Sequence, residues 1–349
     1  MERSASANAL FTSPFMGEAG RGPSCYESIT QEAQGPAQED FPMPAPVAVL
    51  GIFVADLAFK APRLPVMGET LLGQGFASGP GGKGSNQAIA AARAGADVRM
   101  ITRIGRDTFG DMALKAWAAD GVDTRAVTVD DALPTGAAFI FVSTETGNNA
   151  IIVESGAAAM LSPADVAAAE PVIAASKVFV TQFEQPVETA IAGLTLARRH
   201  GVTTILNPAP AVPADKAIYA LCDYVTPNET EAATLTGQKV ETEADALAAA
   251  KAFLAMGARN ALITLGERGA LLHGEAGTAM VPAFKVANVV DTTGAGDAFN
   301  GGFATALAEG KPALEAVRFG SATAALSVQK PGTAPSMPTR AEIEALLKA

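Results

Sequence analysis

The chain has 349 residues, of which 49% are hydrophobic, and carries a formal net charge of −11. This acidic balance excludes a nucleic-acid partner, whose phosphates require a basic face, and no apolar run reaches the roughly 18 residues of a membrane span. Two cysteines and two histidines are too few for a disulfide framework, a histidine triad or a zinc site. The composition therefore predicts a soluble cytoplasmic enzyme that acts on small molecules.

The N-terminal residues differ in composition from the rest of the chain. Residues 1–45 are rich in Gly, Pro, Ser, Ala and Glu and lack apolar periodicity. They also lack the charged start and apolar core of a signal peptide. We predict a disordered extension over residues 1–45, either a regulatory tail or the product of an upstream start codon. A single folded domain is predicted over residues 46–349.

Short apolar runs alternate with amphipathic patterns from residue 47 onward. The predicted strands, apolar on both faces, cover residues 47–52, 98–104, 178–181, 203–206, 224–226 and 261–265. The predicted helices cover residues 88–94, 112–120, 187–200, 245–256 and 298–307. This alternation predicts a three-layer, Rossmann-like α/β sandwich with a mostly parallel central sheet, and ligand sites at the carboxyl ends of its strands.

Two stretches interrupt the alternation. Residues 57–78 and residues 136–152, the latter with a turn at 146–149, have the alternating pattern and turn residues of antiparallel hairpins. We expect them to form a small additional sheet.

Residues 79–87 (GPGGKGSNQ) form the first of two glycine clusters. Its glycine spacing formally satisfies the dinucleotide fingerprint, which would make the protein a nicotinamide-dependent oxidoreductase, but Pro80 and the polar residues before it fit that motif poorly. Nor does a Ser or Thr follow the lysine, as a P-loop requires. We interpret the cluster as a tight loop in which Gly82, Lys83 and Asn86 present donors to a polyhydroxylated ligand. The alternative is a glycine-rich helix start with a solvated lysine.

Residues 291–299 (DTTGAGDAF) form the second cluster, at the start of a small-residue helix. Gly294, Ala295 and Gly296 would expose backbone N–H groups at a helix N-terminus, which is an arrangement that binds anions. Phosphoryl transfer depends on such positioning and charge stabilisation. Asp297 stands beside these groups and is the candidate general base for an attacking alcohol. The alternative role for Asp297 is that of a helix N-cap.

Together the two clusters resemble the signatures of the ribokinase-like carbohydrate kinases, the phosphofructokinase-B type family. The resemblance covers about residues 46–347 and is strongest to the ribokinases; the similar segments between the signatures are residues 105–110, 207–210, 226–231 and 264–269. It implies ATP-dependent transfer of the γ-phosphoryl group to the primary hydroxyl of a furanose, most typically D-ribose to D-ribose 5-phosphate. Deoxyribose, a fructose-type sugar, 2-keto-3-deoxygluconate and nucleosides stay open as substrates. A non-catalytic sugar-sensing module on the same fold is the alternative from another class.

The resemblance assigns sugar binding to one set of residues, and acidic groups at strand ends suit this role because they accept hydrogen bonds from vicinal hydroxyls. These residues are Asp56, Gly82, Lys83, Asn86, Glu184 and Asp297. One departure concerns Val54, which stands where ribokinases usually carry an asparagine that donates to the sugar. The loss of one expected donor, about 1–3 kcal/mol, is enough to change the preference among pentoses.

The resemblance also implies which residues bind the nucleotide and the cations. ATP would contact Asn228, Thr264, Gly266, Gly269 and Gly296, and Glu231 would hold Mg²⁺ through water. Asn228 and Glu231 also have the spacing of a helix capping box, and residues 264–269 the pattern of an ordinary turn. A monovalent cation, expected to be K⁺, is assigned to Asp291, Thr293, Ser327, Lys330, Gly332 and Ser336. The small sheet, placed at about residues 57–80 and 134–153, would be a lid over the sugar through which two subunits form a homodimer.

Overall fold

The structure, a computed structural model, describes residues 45–349. The predicted disorder of the N-terminal extension concerns residues that lie almost entirely outside this range. Within the described residues no helix is both long and apolar enough to cross a lipid bilayer.

Nine strands form the central sheet. They are β1 (Pro46–Leu50), β4 (Asp97–Gly105), β5 (Asp123–Asp130), β8 (Val178–Thr181), β9 (Thr203–Leu206), β10 (Tyr224–Val225), β11 (Asn260–Thr264), β12 (Ala270–Gly274) and β13 (Gly277–Val281). Their order is β13-β12-β11-β10-β9-β8-β1-β4-β5. All neighbours from β11 to β5 pair in parallel, whereas β12 and β13 are antiparallel edge strands. The predicted fold class, a mostly parallel α/β sandwich, is confirmed.

Ten α-helices accompany the sheets in the described part of the chain. They are α1 (Lys83–Arg93), α2 (Thr108–Ala119), α3 (Pro163–Ala168), α4 (Glu170–Ala174), α5 (Val187–Arg199), α6 (Glu229–Thr236), α7 (Glu243–Ala255), α8 (Ala295–Ala308), α9 (Ala313–Ser327) and α10 (Arg340–Lys348).

The central sheet separates two hydrophobic cores. Along β1, Val47 and Val49 face one core, with side chains of α1, α2, α8 and α9, while Ala48 and Leu50 face the other, with side chains of α5 and α7. All four are fully buried, which is why the strand reads as an uninterrupted apolar run rather than an alternating one. The parallel strands therefore point their carboxyl ends to one edge, where polar loops are free to converge.

The small sheet consists of β2 (Val54–Ala61), β3 (Gly75–Gly81), β6 (Thr135–Ser143) and β7 (Asn149–Gly156), in the order β3-β2-β6-β7. Both predicted hairpins are present, β2 with β3 and β6 with β7, and β2 pairs with β6 in parallel. One face of this sheet exposes large apolar side chains, among them Phe76 and Ile152.

The predicted elements match the structure most closely where strands are buried on both faces. Strands β8 and β9 have the predicted boundaries, and the predicted helices correspond to α1, α2, α5, α7 and α8. The helix predicted at 88–94 begins five residues earlier, at Lys83, and the one predicted at 298–307 begins at Ala295. Both starts are rich in glycine, whose low helix propensity conceals the first turn from a pattern search.

Candidate active site

The first glycine cluster places the start of α1 against the end of β1. Gly82 is the N-cap residue and has φ 85°, a conformation that favours glycine. A Cβ atom at Gly82 would lie 2.6 Å from the carbonyl oxygen of Ile52, so no side chain fits. This close approach puts Lys83 and Asn86 in the first turn of α1, as donors facing the carboxyl edge of the sheet.

The second cluster forms the start of α8. Gly294 is the N-cap residue with φ 81°, and Asp297 lies inside the first turn. The alternative role of Asp297 as N-cap is therefore wrong. The amides of Gly296 and Asp297 have no carbonyl one turn earlier in the helix, as expected at a helix start. The amide of Ala295, by contrast, donates to the Thr292 carbonyl at 3.2 Å, so it is already used by the protein.

Two side-chain amides from α1 hold the carboxylate of Asp297. Asn86 Nδ2 donates to Oδ2 at 3.0 Å, and Gln87 Nε2 donates to Oδ1 at 2.9 Å. Asp297 is 5% exposed, and Asn86 Oδ1, also buried, has no partner among the described residues. The carboxylate is thus oriented by its neighbours while an unused acceptor stands beside it.

Further carboxylates surround Lys83. Glu184, which follows β8, accepts from the Lys83 backbone N–H at 2.7 Å. Burial raises the pKa of Glu184 to about 7, against the opposing effect of Lys83. The pKa of Lys83 is raised chiefly by Asp297 and then by Glu184 and Glu231, which keeps its ammonium charged.

Asp56 of β2 is the acidic group that the small sheet contributes. Burial raises its pKa to about 6, a shift that a hydrogen bond from Thr333 reduces and the charge of Asp297 increases. The Thr333 hydroxyl lies 3.4 Å from Asp56 Oδ2 and 3.2 Å from the Pro80 carbonyl oxygen, and it has one proton for both. Asp56 is therefore short of donors.

Val54 begins β2, two residues before Asp56 and hence on the same face of the strand. It is 3% exposed and belongs to a small apolar cluster with Ile52, Ala138 and Leu161. Here an isopropyl group occupies the position at which a ribokinase-type asparagine would offer an amide. The surroundings of Val54, two residues from Asp56, are accordingly apolar.

A cavity of about 130 Å³ opens between the two helix starts and the strand ends. Seven of the predicted site residues line it: Lys83, Asn228, Glu231, Thr264, Gly294, Gly296 and Asp297. The structure brings these seven together from four separate segments: the starts of α1, α6 and α8 and the end of β11. Gly266 and Gly269, predicted as ATP contacts, do not line this cavity and flank the short turn after β11.

Asn228 and Glu231 form a capping box at the start of α6. Asn228 Oδ1 accepts from the Glu231 amide at 2.8 Å, and Glu231 Oε2 accepts from the Asn228 amide at 2.9 Å. The capping interpretation is confirmed. Since the same two residues line the cavity and burial raises the pKa of Glu231, the capping and ligand roles are compatible.

The residues assigned to a monovalent cation lie in two stretches, residues 291–293 and, from the last residue of α9 onward, residues 327–336; Asp291 joins these stretches. Its Oδ1 accepts from the Thr293 amide at 2.9 Å and its Oδ2 from the Gly332 amide at 3.0 Å. Ser336 Oγ bonds to the Thr333 carbonyl, Ser327 Oγ to the Ala324 carbonyl, and Lys330 Nζ reaches Glu342. Within residues 45–349 there is no group of three or more His, Cys, Asp or Glu side chains placed to hold a metal.

The structure also reveals site residues that sequence reasoning missed. Gln87 touches the carboxylate of Asp297, Thr333 reaches Asp56, and Asn207, Thr226 and Asn300 line the cavity. Gln87 follows directly after Asn86 in the first signature, so its position was a usable signal. Nothing in the sequence indicates the partner of Thr333, which lies 277 residues away from it along the chain.

Fold and site together have the features of a carbohydrate kinase: the start of α8, whose unpaired amides suit a phosphate group and which we call the phosphate cradle, a carboxylate in its first turn, and acidic groups at strand ends. The chain matches the family described as pfkB family carbohydrate kinase over residues 45–340, and it belongs to that family.

Individual relatives agree with this assignment. The ribokinase of Haemophilus influenzae is 42% identical over 296 residues, covering 85% of this chain and 96% of the relative. The deoxyribokinase of Salmonella typhi is 38% identical over 294 residues, covering 84% and 95%. A solved structure of Arabidopsis thaliana ribokinase complexed with ribose and ATP superposes with a TM-score of 0.82 at 32% identity, covering 88% of this chain and 100% of that one.

Proposed function

We propose that the protein is an ATP-dependent kinase that phosphorylates the primary hydroxyl of D-ribose, giving D-ribose 5-phosphate and ADP. The observation that carries the proposal is Asp297, a buried carboxylate held at both oxygens in the first turn of α8, beside unpaired helix amides. The similarity to ribokinases over most of both chains supports ribose as the acceptor.

In this proposal Asp297 accepts the proton of the primary hydroxyl as its oxygen forms a bond to the γ-phosphorus. The bond from that phosphorus to the bridging oxygen of ATP breaks, and ADP leaves. Gly296 and its neighbouring helix amides stabilise the charge on the transferred group, and the Lys83 ammonium adds a positive charge at the same cavity. Asp56, Glu184 and the free Oδ1 of Asn86 accept hydrogen bonds from the other sugar hydroxyls.

Deoxyribose is the second candidate acceptor, and Val54 favours it. A site that hydrogen-bonds a hydroxyl discriminates strongly against a sugar that lacks it, whereas an apolar site discriminates weakly. The similarity to a deoxyribokinase points in the same direction. A coupled ADP-release assay with ribose, deoxyribose, fructose, 2-keto-3-deoxygluconate and nucleosides decides between them. Turnover with none of these sugars would contradict the proposal and favour the sugar-sensing alternative.

Mg²⁺ is proposed to accompany ATP near Glu231. The fit is chemical: Mg²⁺ prefers oxygen ligands and keeps most of its waters, so one carboxylate lining the cavity suffices. Glu231→Gln should raise the Mg²⁺ concentration needed for half-maximal turnover. An unchanged Mg²⁺ requirement would argue against this role.

K⁺ is proposed to bind between the two stretches joined by Asp291. The donor set fits a large monovalent cation in kind, since it offers a carboxylate, hydroxyls and backbone carbonyls, although both Asp291 oxygens already accept backbone N–H groups. A bound cation there would fix the loop that leads into Gly294. Equal turnover in K⁺ and in Na⁺ would remove the claim.

A homodimer through the small sheet and a cytoplasmic location complete the proposal. The apolar face of that sheet supports the dimer, because Phe76 and Ile152 are 62% and 70% exposed and exposed apolar patches mark interaction sites. Sedimentation of the purified protein tests it: Ile152→Lys should shift a dimer toward the monomer.

A further inference from the structure

We propose that Gln87 is a positioning residue that orients the carboxylate of Asp297 for proton transfer, and that Gln182 sets the direction in which Gln87 acts. This inference rests on the proposed function, in which Asp297 is the base.

The two amides that touch Asp297 differ in their other contacts. Asn86 has an unused Oδ1 in the site, so it also serves the ligand. Gln87 is 1% exposed and spends both ends of its amide on the protein: Nε2 donates to Asp297 Oδ1 at 2.9 Å and to Asn207 Oδ1 at 3.1 Å, and Oε1 accepts from Gln182 Nε2 at 2.7 Å. Gln87 therefore has no free group for a sugar or a nucleotide.

The direction of the Gln87 amide follows from the chemistry of its neighbours. An ionised carboxylate only accepts hydrogen bonds, so the NH₂ end of Gln87 must face Asp297 and its carbonyl must face Gln182. Gln182 then has to present its own NH₂ group, which leaves its Oε1 without a donor among residues 45–349. The Gln182 amide thus points its donor, not its acceptor, at Gln87, and this direction fixes the orientation of Gln87 toward Asp297.

The same amide connects the base to the helix that carries the phosphate cradle. Asn207 Nδ2 donates to the Thr226 carbonyl at 2.9 Å, and the Thr226 hydroxyl donates to Asn300 Oδ1 at 2.7 Å. Asn300 Nδ2 in turn donates to the Gly296 carbonyl at 2.8 Å. Gln87 bonds directly to Asp297, whereas its link to the Gly296 carbonyl passes through three further side chains, so loss of the Gln87 donor should act on the carboxylate. Neither Asp56 nor Glu184 is hydrogen-bonded to Gln87.

Gln87→Met tests the inference because it nearly keeps the volume of the side chain and removes the donor. We expect kcat with the accepted sugar substrate to fall by about 10–100-fold, while KM for that sugar changes by less than about threefold. This is the pattern of an interaction that acts on the transition state.

The matched control is Gln185→Met. Gln185 is also a buried amide, bonded to Thr181 and to the Gln182 carbonyl but not to Asp297. We expect this variant to lose thermal stability and to keep its kcat.

A double-mutant cycle separates positioning from a general structural role. If Gln87 acts through Asp297, then Gln87→Met should change the residual kcat of an Asp297→Asn enzyme by less than about twofold. Equal losses in both backgrounds would overturn the inference, and so would normal kcat in Gln87→Met. An inactive wild-type enzyme on every sugar would instead overturn the proposed function.

Discussion

Residues 82–87 and 294–300, the floor of the candidate site, contribute Asp297, and the small sheet, its proposed lid, contributes Asp56. The two aspartates are held in opposite ways. Asp297 of the floor receives an amide donor on each oxygen. Asp56 of the lid receives only a 3.4 Å contact from a hydroxyl whose proton is shared. Under the proposed function, the protein itself supplies the donors to the base, Asp297, and leaves Asp56 to accept hydrogen bonds from the sugar.

Among the substitutions proposed here, one in the floor of the site, at Asp297, should have the largest effect on turnover. We expect Asp297→Asn to lower kcat by about 10²–10⁴-fold, since it removes the proton acceptor but keeps the shape of the side chain. Sugar binding, measured by calorimetry, should change little because the carboxylates of Asp56 and Glu184 are intact. Near-normal turnover in this variant would rule out Asp297 as the base.

The lid and Glu184 should make substrate capture depend on pH. Because the pKa of Glu184 is about 7 and that of Asp56 about 6, both acceptors become protonated as pH falls through this window. We expect kcat/KM for the sugar to fall by about tenfold between pH about 8 and about 5.5, with a smaller change in kcat, since bound hydroxyls favour the ionised carboxylates. A flat kcat/KM profile over this range would contradict the assignment.

Protonation of Asp56 should also change the stability of the fold: the free energy of unfolding should rise as pH falls, whereas kcat/KM falls. A carboxyl group whose pKa is raised by folding destabilises the fold above that pKa, and the destabilisation disappears as pH falls through it. Asp56→Asn should therefore raise Tm at pH 8 and leave Tm unchanged near pH 4, as differential scanning fluorimetry would report.

A substitution at Val54 tests the role of the small sheet separately from that of Asp297, because Val54 lies in β2. Val54→Asn would restore an amide beside Asp56, and we expect the ratio of kcat/KM for ribose to that for deoxyribose to rise by about fivefold or more. Without sugar the buried amide should lower Tm, because the side chains around position 54 are apolar. Val54→Leu serves as the control, and an unchanged ratio in Val54→Asn would exclude this position as a determinant of preference.

Of these substitutions, one at Thr333 should have the smallest effect on the kinetic constants. Thr333→Val removes the hydroxyl donor that lowers the pKa of Asp56, so this pKa should rise further. We expect KM for the sugar to rise by about two- to threefold near pH 6.5 and to stay unchanged at pH 8.5, where Asp56 is ionised in both proteins. An equal change at both pH values would indicate a structural role in the loop instead.

The sequence predicts the fold, and the position of several candidate site residues within it, for a specific physical reason. Strands such as β8 are buried on both faces and read as plain apolar runs, and the carboxyl ends of parallel strands necessarily meet at one edge. The loops that follow them, with Glu184 and Asn228, are thus predicted to lie at the same edge of the sheet from the sequence alone. Glycine clusters marked the two helix starts that complete it.

The hydrogen bonds within the candidate site could not be predicted, because they join residues that are distant in sequence. Gln87 and Asp297 are 210 residues apart, and Gln182 lies 95 residues from Gln87, so no local pattern connects them. The use of the Ala295 amide by Thr292 depends on the backbone path of one turn, which residue identities alone do not specify. The predicted ATP contacts of Gly266 and Gly269 stay a prediction: both glycines have positive φ in the turn after β11, and neither lines the cavity.

The division into two sheets also bears on how this enzyme changes through mutation. Val54 and Asp56, both proposed to face the sugar, stand on a small sheet whose register is set by its own hydrogen bonds. The proposed base, Asp297, lies instead in the first turn of α8, which packs on the large sheet. If both assignments hold, a library restricted to the small sheet would vary part of the acceptor site while the proposed base and its two amide donors stay constant.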